Sequence, residues 1–564
     1  MKPHPYAFAS FRQAMAWVHT WLGLVLGFVL MVCFFFGTLS VFDREIDRWA
    51  VPATRFAAQP MPDFQTRLWP AWQSLLPSEA DYQAEAPRLH DPAKGPLPPR
   101  SALQADQFWA YTTHRDPVVQ IGARFVLPSA RDDADDYLYA SAQIDPRSGK
   151  VLPDAALNIG SDWFYPMHYH LNWAWLNLGY WLVGLAGMVM LLALISGVIL
   201  HRKLFRELFT FRPDKQRLRS LLDLHNLSGV VALPFHLFFA FTGVLIFAAW
   251  LYLPVGHSLL QPLHDQHAVH EASASGLPHQ RSGKAQTHIA PVTAMVQQAK
   301  QRWAERGMPG EVGLLELHHV GDADAYISIH RAGSDRVALV GQALHFKASS
   351  GALLHEAPPQ NPVAAVHEYL SGLHLQHFRH WLLRWLYLLG GLLGCICIAT
   401  GFLFFVEKRK QQHARQGRQG SRVVDALAIT AITGMVLAAL AMLVINRLLP
   451  ENFTALGWQG DAWQKAAFWG LWLAAGLHAW LRSAPLAQGR PNPAWREQCL
   501  LVAVLALLAV ALNWLSTGDH LLKTLITERY WPVAGVDMAL LLSALTALWT
   551  ARRLGERTRR AEGE

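Results

Sequence analysis

Residues 223–250 read DLHNLSGVVALPFHLFFAFTGVLIFAAW. The apolar run, taken as 228–252, is long enough for a membrane helix, which needs about 20 such residues. It carries His225 at its start and His236 within it. The two are 11 residues apart. At about 1.5 Å and 100° per residue they lie about 16 Å apart on nearly one face. An ionisable side chain inside a membrane is costly and marks a function. Imidazole is an axial ligand of b-type haem and needs no covalent link. One helix with histidine at two depths on one face is what a two-haem relay needs.

Outward from this segment the same pattern recurs. Apolar runs lie at about 15–41, 174–200, 382–406, 424–446, 466–481, 498–515 and 533–551, which with 228–252 makes eight spans. The chain has 564 residues, 52% hydrophobic and only 16% charged, which argues against a large soluble enzyme and against a disordered chain. The net charge of +8 is confined. Segments 1–14, 201–224, 407–422, 482–497 and 552–564 hold 23 of the 49 Lys and Arg and only 8 acidic residues. They carry +15 and leave −7 for the rest, a membrane-topology signal that excludes a nucleic-acid face. With an even number of spans, both termini face the cytoplasm. The first run is too long for a signal-peptide core and reads as an uncleaved anchor.

The predicted fold is an all-α polytopic membrane protein of about eight transmembrane helices with two outer-side α+β domains. The first helix occupies 1–42 and the first outer domain 43–166. Helices two and three occupy 167–252, the second outer domain 253–376, and helix four 377–410. A C-terminal four-helix extension fills 411–564. Tyr137 to Leu152 and Ala343 to Leu354 both read strand–turn–strand, which suggests an internal duplication.

Sorted by depth, the histidines near the first four spans form two layers. His19, His201 and His225 lie at cytoplasmic ends, His168, His170, His374 and His377 at outer ends, and His236 between. Histidines at helix ends also fit the interface with water or headgroups. The four cysteines (Cys33, Cys395, Cys397, Cys499) lie in apolar runs, and no C-x-x-C-H is present, which excludes covalent c-type haem. His264, His267 and His270 form His-x-x-His-x-x-His, which reads first as a solvated His-rich loop and second as a pattern able to bind a transition metal. The cytoplasmic segments hold no nucleotide-binding fingerprint, so the electron donor must be a separate reductase or membrane quinol.

These residues resemble the PepSY-associated transmembrane family of bacterial inner-membrane proteins. Val18-His-Thr-Trp-Leu-Gly-Leu24 is similar to its His-x-Trp-x-Gly-Leu start. His168-Tyr-His-Leu171, Asp223-Leu-His-Asn-Leu-Ser-Gly229 and Gly372-Leu-His-Leu-Gln-His-Phe378 precede or open the next helices. Asp145-Pro-Arg-Ser-Gly149-Lys-Val-Leu152 is similar to the PepSY hairpin Asp-x-x-Thr-Gly-x-Val-Leu, with Ser148 in place of Thr. Lys347 to Leu353 is a weaker copy. The resemblance covers about 10–410, and helices five to eight look like an appendage to it.

The resemblance implies an inner-membrane protein with periplasmic domains and two b haems. His19 and His225 would hold the inner one, with His201 or His236 as alternates. His170 and His374 would hold the outer one, with His168 or His377 as alternates. It implies electron transfer to a periplasmic acceptor, a ferric siderophore. Rival readings are a non-enzymatic PepSY accessory or regulatory protein, and a metal-handling or transport protein.

Overall fold

The computed structural model describes residues 8, 10–113, 115–130, 137–152, 157–201, 217–248, 275–278, 280–338, 342–358, 361–450 and 453–563. The chain divides into two compact units. A membrane unit comprises 1–52, 155–247 and 381–564; the other comprises 53–154 and 248–380.

The membrane unit is helical. Its first part contains α1 (Phe11–Val25), α2 (Gly27–Ser40), α3 (Leu178–Leu200), α4 (Arg217–Val231), α5 (Leu233–Phe247) and α6 (Trp381–Arg415). Ser10 caps α1 by accepting from the Gln13 N–H. Helices α1 and α2 are bent by 61°, and α4 and α5 by 64°. Pro234 explains the second bend: it has no N–H to offer the carbonyl one turn back, and its ring crowds that turn. Gly27 stands at the first bend. Four further helices follow: Gly420–Leu448, which contains a π turn at Thr430–Gly434, then Gly460–Leu481, Ala494–Thr517 and Trp531–Gly563.

Five helices among the described residues are long and apolar enough to cross a membrane, and seven if each bent pair is one span. The remaining expected span, 466–481, falls on Gly460–Leu481, a continuous helix of 22 residues that is not among them. Its length suits a span. Asp461, Gln464 and Lys465 at its start dilute its apolar character.

The C-terminal helices share a buried core with the first ones. Phe36 of α2, Phe164 and Phe468 belong to one buried core, with Phe36 and Phe468 ring centroids 5.9 Å apart. The indole N–H of Trp49, a fully buried residue, donates to the Asp537 carboxylate at 2.8 Å. Burial of several aromatic side chains at about 2 kcal/mol each is enough to hold such an interface.

The other unit is built on one antiparallel sheet. Its strands are β1 (Gln104–Tyr111), β2 (Val119–Val126), β3 (Leu138–Ile144), β4 (Val312–His318), β5 (Tyr326–Arg331), β6 (Ala343–Lys347) and β7 (Leu353–Glu356). Their order is β3-β2-β1-β4-β5-β6-β7. Strands from both expected outer domains therefore share one sheet, joined where β1 pairs with β4, Trp109 opposite Glu316. Alternate residues are buried, so one face packs under helices such as Val292–Glu305. Trp72, Trp303 and Phe346 fill that core.

The duplicated turn is present in both halves. Gly149 (φ 75°) donates its N–H to the Asp145 carbonyl at 2.7 Å, and Gly351 (φ 73°) to the Lys347 carbonyl at 2.8 Å. A Cβ is disfavoured at that φ, which accounts for glycine at both places.

The less covered sheet face carries an imidazole cluster. His345 lies 6.3 Å from His330 and 5.8 Å from His355, ring centroid to centroid, and accepts or donates at 2.8 Å with the Ser328 hydroxyl. Burial, then the neighbouring His330, His355 and His318, hold its pKa down at about 4, against the opposing pull of Glu316. A histidine depressed from about 6.5 contributes stability that is full above pH 6.5 and is lost as pH falls towards 4. The sheet unit is therefore expected to lose thermal stability between pH 7 and pH 4.5. His345→Asn should flatten that slope, measured as the melting of the β signal by circular dichroism across pH; an unchanged slope would remove His345 as a contributor.

Candidate functional site

The bent pairs α1/α2 and α4/α5, with α3 and α6, line a cavity of about 750 Å³ in the membrane unit. Glycines of α1, α3, α4 and α6 (Gly23, Gly197, Gly229 and Gly401) contribute no side-chain volume. About half of the lining residues are aliphatic or phenyl, and the titratable side chains include His19, His201, His225 and His236 together with Arg12, Lys408 and Arg409. An apolar chamber with a few convergent polar groups is the usual form of a ligand site.

His19 projects from α1. Its Nδ1 is 3.0 Å from the Ala193 carbonyl and 3.2 Å from the Ser196 hydroxyl of α3. His225 projects from α4, and its Nδ1 is 2.8 Å from the Cys397 carbonyl of α6. A carbonyl only accepts, so Nδ1 carries the proton in each ring and Nε2 keeps its lone pair. Neither Nε2 has a hydrogen-bond partner among the described residues. The ring centroids are 6.2 Å apart, with the planes at 77°.

A single local arrangement recurs at four histidines. Each ring nitrogen approaches the carbonyl of residue i on a neighbouring helix, and residue i+4 on that helix is glycine. The pairs are Ala193 and Gly197 for His19, Cys397 and Gly401 for His225, Cys33 and Gly37 for His168, and Gly390 and Gly394 for His236. The i+4 residue stands over the carbonyl it bonds to, so a side chain there would obstruct the ring. A Cβ on Gly197 would lie 3.3 Å from His19 Cε1, on Gly401 3.4 Å from His225 Cε1, and on Gly37 only 2.6 Å from His168 Nδ1. On Gly394 it would collide with Phe34 and come within 3.2 Å of His236 Nε2.

The structure thus brings His19 and His225 together across the cavity. His201, at the end of α3, also lines it. His236 is buried at 2% exposure, edge-on to Phe34 at 5.6 Å, and uses Nε2 towards the Gly390 carbonyl at 3.3 Å. His168 and His170 sit on the short helix Tyr165–His170. His168 Nδ1 is 2.8 Å from the Cys33 carbonyl. His170 lies beside Tyr169 and Tyr180, and its buried Nδ1 has no hydrogen-bond partner among the described residues. His374 and His377 belong to the other unit. His264, His267 and His270 lie outside the described residues. Among the described residues no three His, Cys, Asp or Glu side chains converge on one metal position.

Sequence reasoning missed the carbonyl seats. The small residues on these helices are visible in the sequence, but which carbonyl each histidine meets depends on helix neighbours. It also missed Arg12, Lys408 and Arg409 as cavity residues.

A family model described as the PepSY-associated TM region matches residues 16–408. An uncharacterised protein of Pseudomonas aeruginosa is 29% identical over 385 residues, covering 64% of this chain and 87% of that protein. The matched region contains every wall of the cavity except Arg12 and Arg409.

The glycine seats make a direct prediction. Gly37→Ala is expected to destabilise the purified protein by about 1–3 kcal/mol, the range of overpacked sites. Gly23→Ala, where a new Cβ meets nothing within 4 Å, should leave the melting temperature unchanged or raised. Thermal melts in detergent compare the two; equal effects would refute the steric account.

Proposed function

The chain belongs to the PepSY-associated transmembrane family, and from that premise we propose that it is a b-type haem protein that carries electrons across the bacterial inner membrane. One observation carries this reading: two imidazoles with ring centroids 6.2 Å apart line one cavity, each with Nδ1 tied to a helix carbonyl and Nε2 without a partner among the described residues. Two imidazoles on opposite sides of one metal ion, each bound at about 2 Å, place their ring centroids about 6 Å apart. The 6.2 Å between His19 and His225 fits that requirement. The tautomer fits as well, because a metal-ligating histidine generally gives its other N–H to a carbonyl or carboxylate.

His19 and His225 would hold the inner haem. For a second, outer haem His168 is better prepared than His170: it has the carbonyl seat, and His170 does not. When bound, the haem supplies one-electron transfer. His19 and His225 would ligate it, and the Ala193 and Cys397 carbonyls fix the orientation of their imidazoles. The walls are lipophilic residues such as Leu30, Met190 and Phe402.

Counting Gly460–Leu481 as a span gives eight, so that both termini and the basic segments face the cytoplasm. A quinol or a cytoplasmic reductase is the donor. The substrate is a periplasmic ferric siderophore: reduction to Fe(II) weakens a hard-oxygen chelate and frees the metal.

A dithionite-reduced minus oxidised spectrum of the purified full chain tests the reading. It should show low-spin b-type bands from two haems per chain. His19→Ala and His225→Ala should each remove about half of the signal. His168→Ala should remove the other half, with His170→Ala retaining it. A folded, colourless wild-type preparation would overturn the proposal in favour of an accessory role.

A further inference from the structure

The cavity is not uniform along its length. Arg12, Lys408 and Arg409 line it together with the histidines. Arg12 lies seven residues before His19 on α1. Lys408 lies seven residues beyond Gly401, the glycine that seats His225 on α6. At about 1.5 Å per residue, both offsets are about 10 Å along the helix.

The two offsets point the same way. The first turn of α1 meets the last turn of α3, since the Arg12 guanidinium donates to the Leu200 carbonyl at 3.2 Å. His19, further along α1, meets Ala193, earlier on α3, so α1 and α3 run antiparallel. Gly23, Gly27 and Phe402 connect α1/α2 with α6: a Cβ on Gly27 would lie 3.0 Å from the Phe402 ring. Gly394 and Phe34 meet one step further along, so α6 also runs antiparallel to the first helices. The start of α1 and the end of α6 therefore lie at one end of the chamber.

The cations are held at the chamber rather than released from it. The Arg409 guanidinium lies 4.1 Å above the Phe405 ring, and the Lys408 ammonium 5.6 Å from the Phe404 ring; both phenylalanines line the cavity. Among the described residues none of the three has a carboxylate partner, whereas the neighbouring Glu407 is occupied by Lys410 at 2.9 Å and Arg217 at 3.5 Å. Three cations beside a low-dielectric chamber favour an anion there.

We propose that Arg12, Lys408 and Arg409 form a carboxylate-binding end of this cavity, which takes the anionic edge of an amphiphilic macrocycle whose centre lies between His19 and His225. This rests on the haem reading of the same site. It assigns the bound molecule one orientation, with its carboxylates at the cationic end and its apolar edge towards Phe34 and Leu30. The haem propionates supply that chemistry. A lipid phosphate is the other source of an anion at these cations.

The experiment follows haem release from purified full-length protein into excess apomyoglobin, read at the Soret band. The triple variant Arg12→Gln/Lys408→Gln/Arg409→Gln should release haem about tenfold faster or more. The charge-keeping Lys408→Arg/Arg409→Lys variant should stay close to wild type, which separates charge from folding. Haem dimethyl ester should leave wild type and triple variant at the same fast rate. Equal release of haem from wild type and triple variant, with the ester held as tightly as the acid, would overturn the proposal and assign the cations to lipid phosphate or topology alone. A wild-type protein that binds neither haem nor the ester would overturn the haem reading itself, and this proposal with it.

Discussion

An imidazole placed in hydrocarbon has one N–H that must be bonded, and a neighbouring helix has few acceptors to give. Its carbonyls are already engaged with its own backbone and are covered by the residue one turn on. Glycine at that residue uncovers the oxygen. Four histidines of the membrane unit use this solution, on α2, α3 and twice on α6. The requirement reaches well beyond the histidines. It brings α1 against α3 and α4 against α6 with little room for side chains between them. It also fixes the protonated nitrogen, so Nε2 of His19 and His225 is left for the chamber.

The bends complete the chamber. A straight α4–α5 would carry His225 and His236 on one stripe, as helical arithmetic from the sequence suggests. With a 64° break beside Pro234 the two rings serve different neighbours: His225 meets Cys397 and His236 meets Gly390. The chamber opens between the parts of the bent pairs, where glycines leave the walls thin.

Much of the architecture was legible because its causes are local in the chain. Long apolar runs, basic flanks, Pro234 and the Asp145–Gly149 turn each act within about ten residues. The shared sheet was less legible. The Asp145–Gly149 and Lys347–Gly351 turns announce a duplication, yet nothing local indicates that β1 would pair with β4 some two hundred residues away. That pairing removes two exposed edges at once, which separate sheets would have had to protect. The contact of the C-terminal helices with the first ones was illegible for a similar reason. Asp537 reads as an isolated charge in an apolar segment until Trp49, 488 residues earlier, is placed against it.

The sequence by itself determined a membrane protein of the PepSY-associated kind, the confinement of its basic charge, and the histidines worth attention, because hydropathy and charge act on each segment independently of the others. Tertiary structure decided which histidines meet, which nitrogen of each ring is free, and that three cations share the chamber. Those outcomes depend on carbonyls and glycines of other helices, whose approach is set by packing and leaves no mark on the segment that carries the histidine.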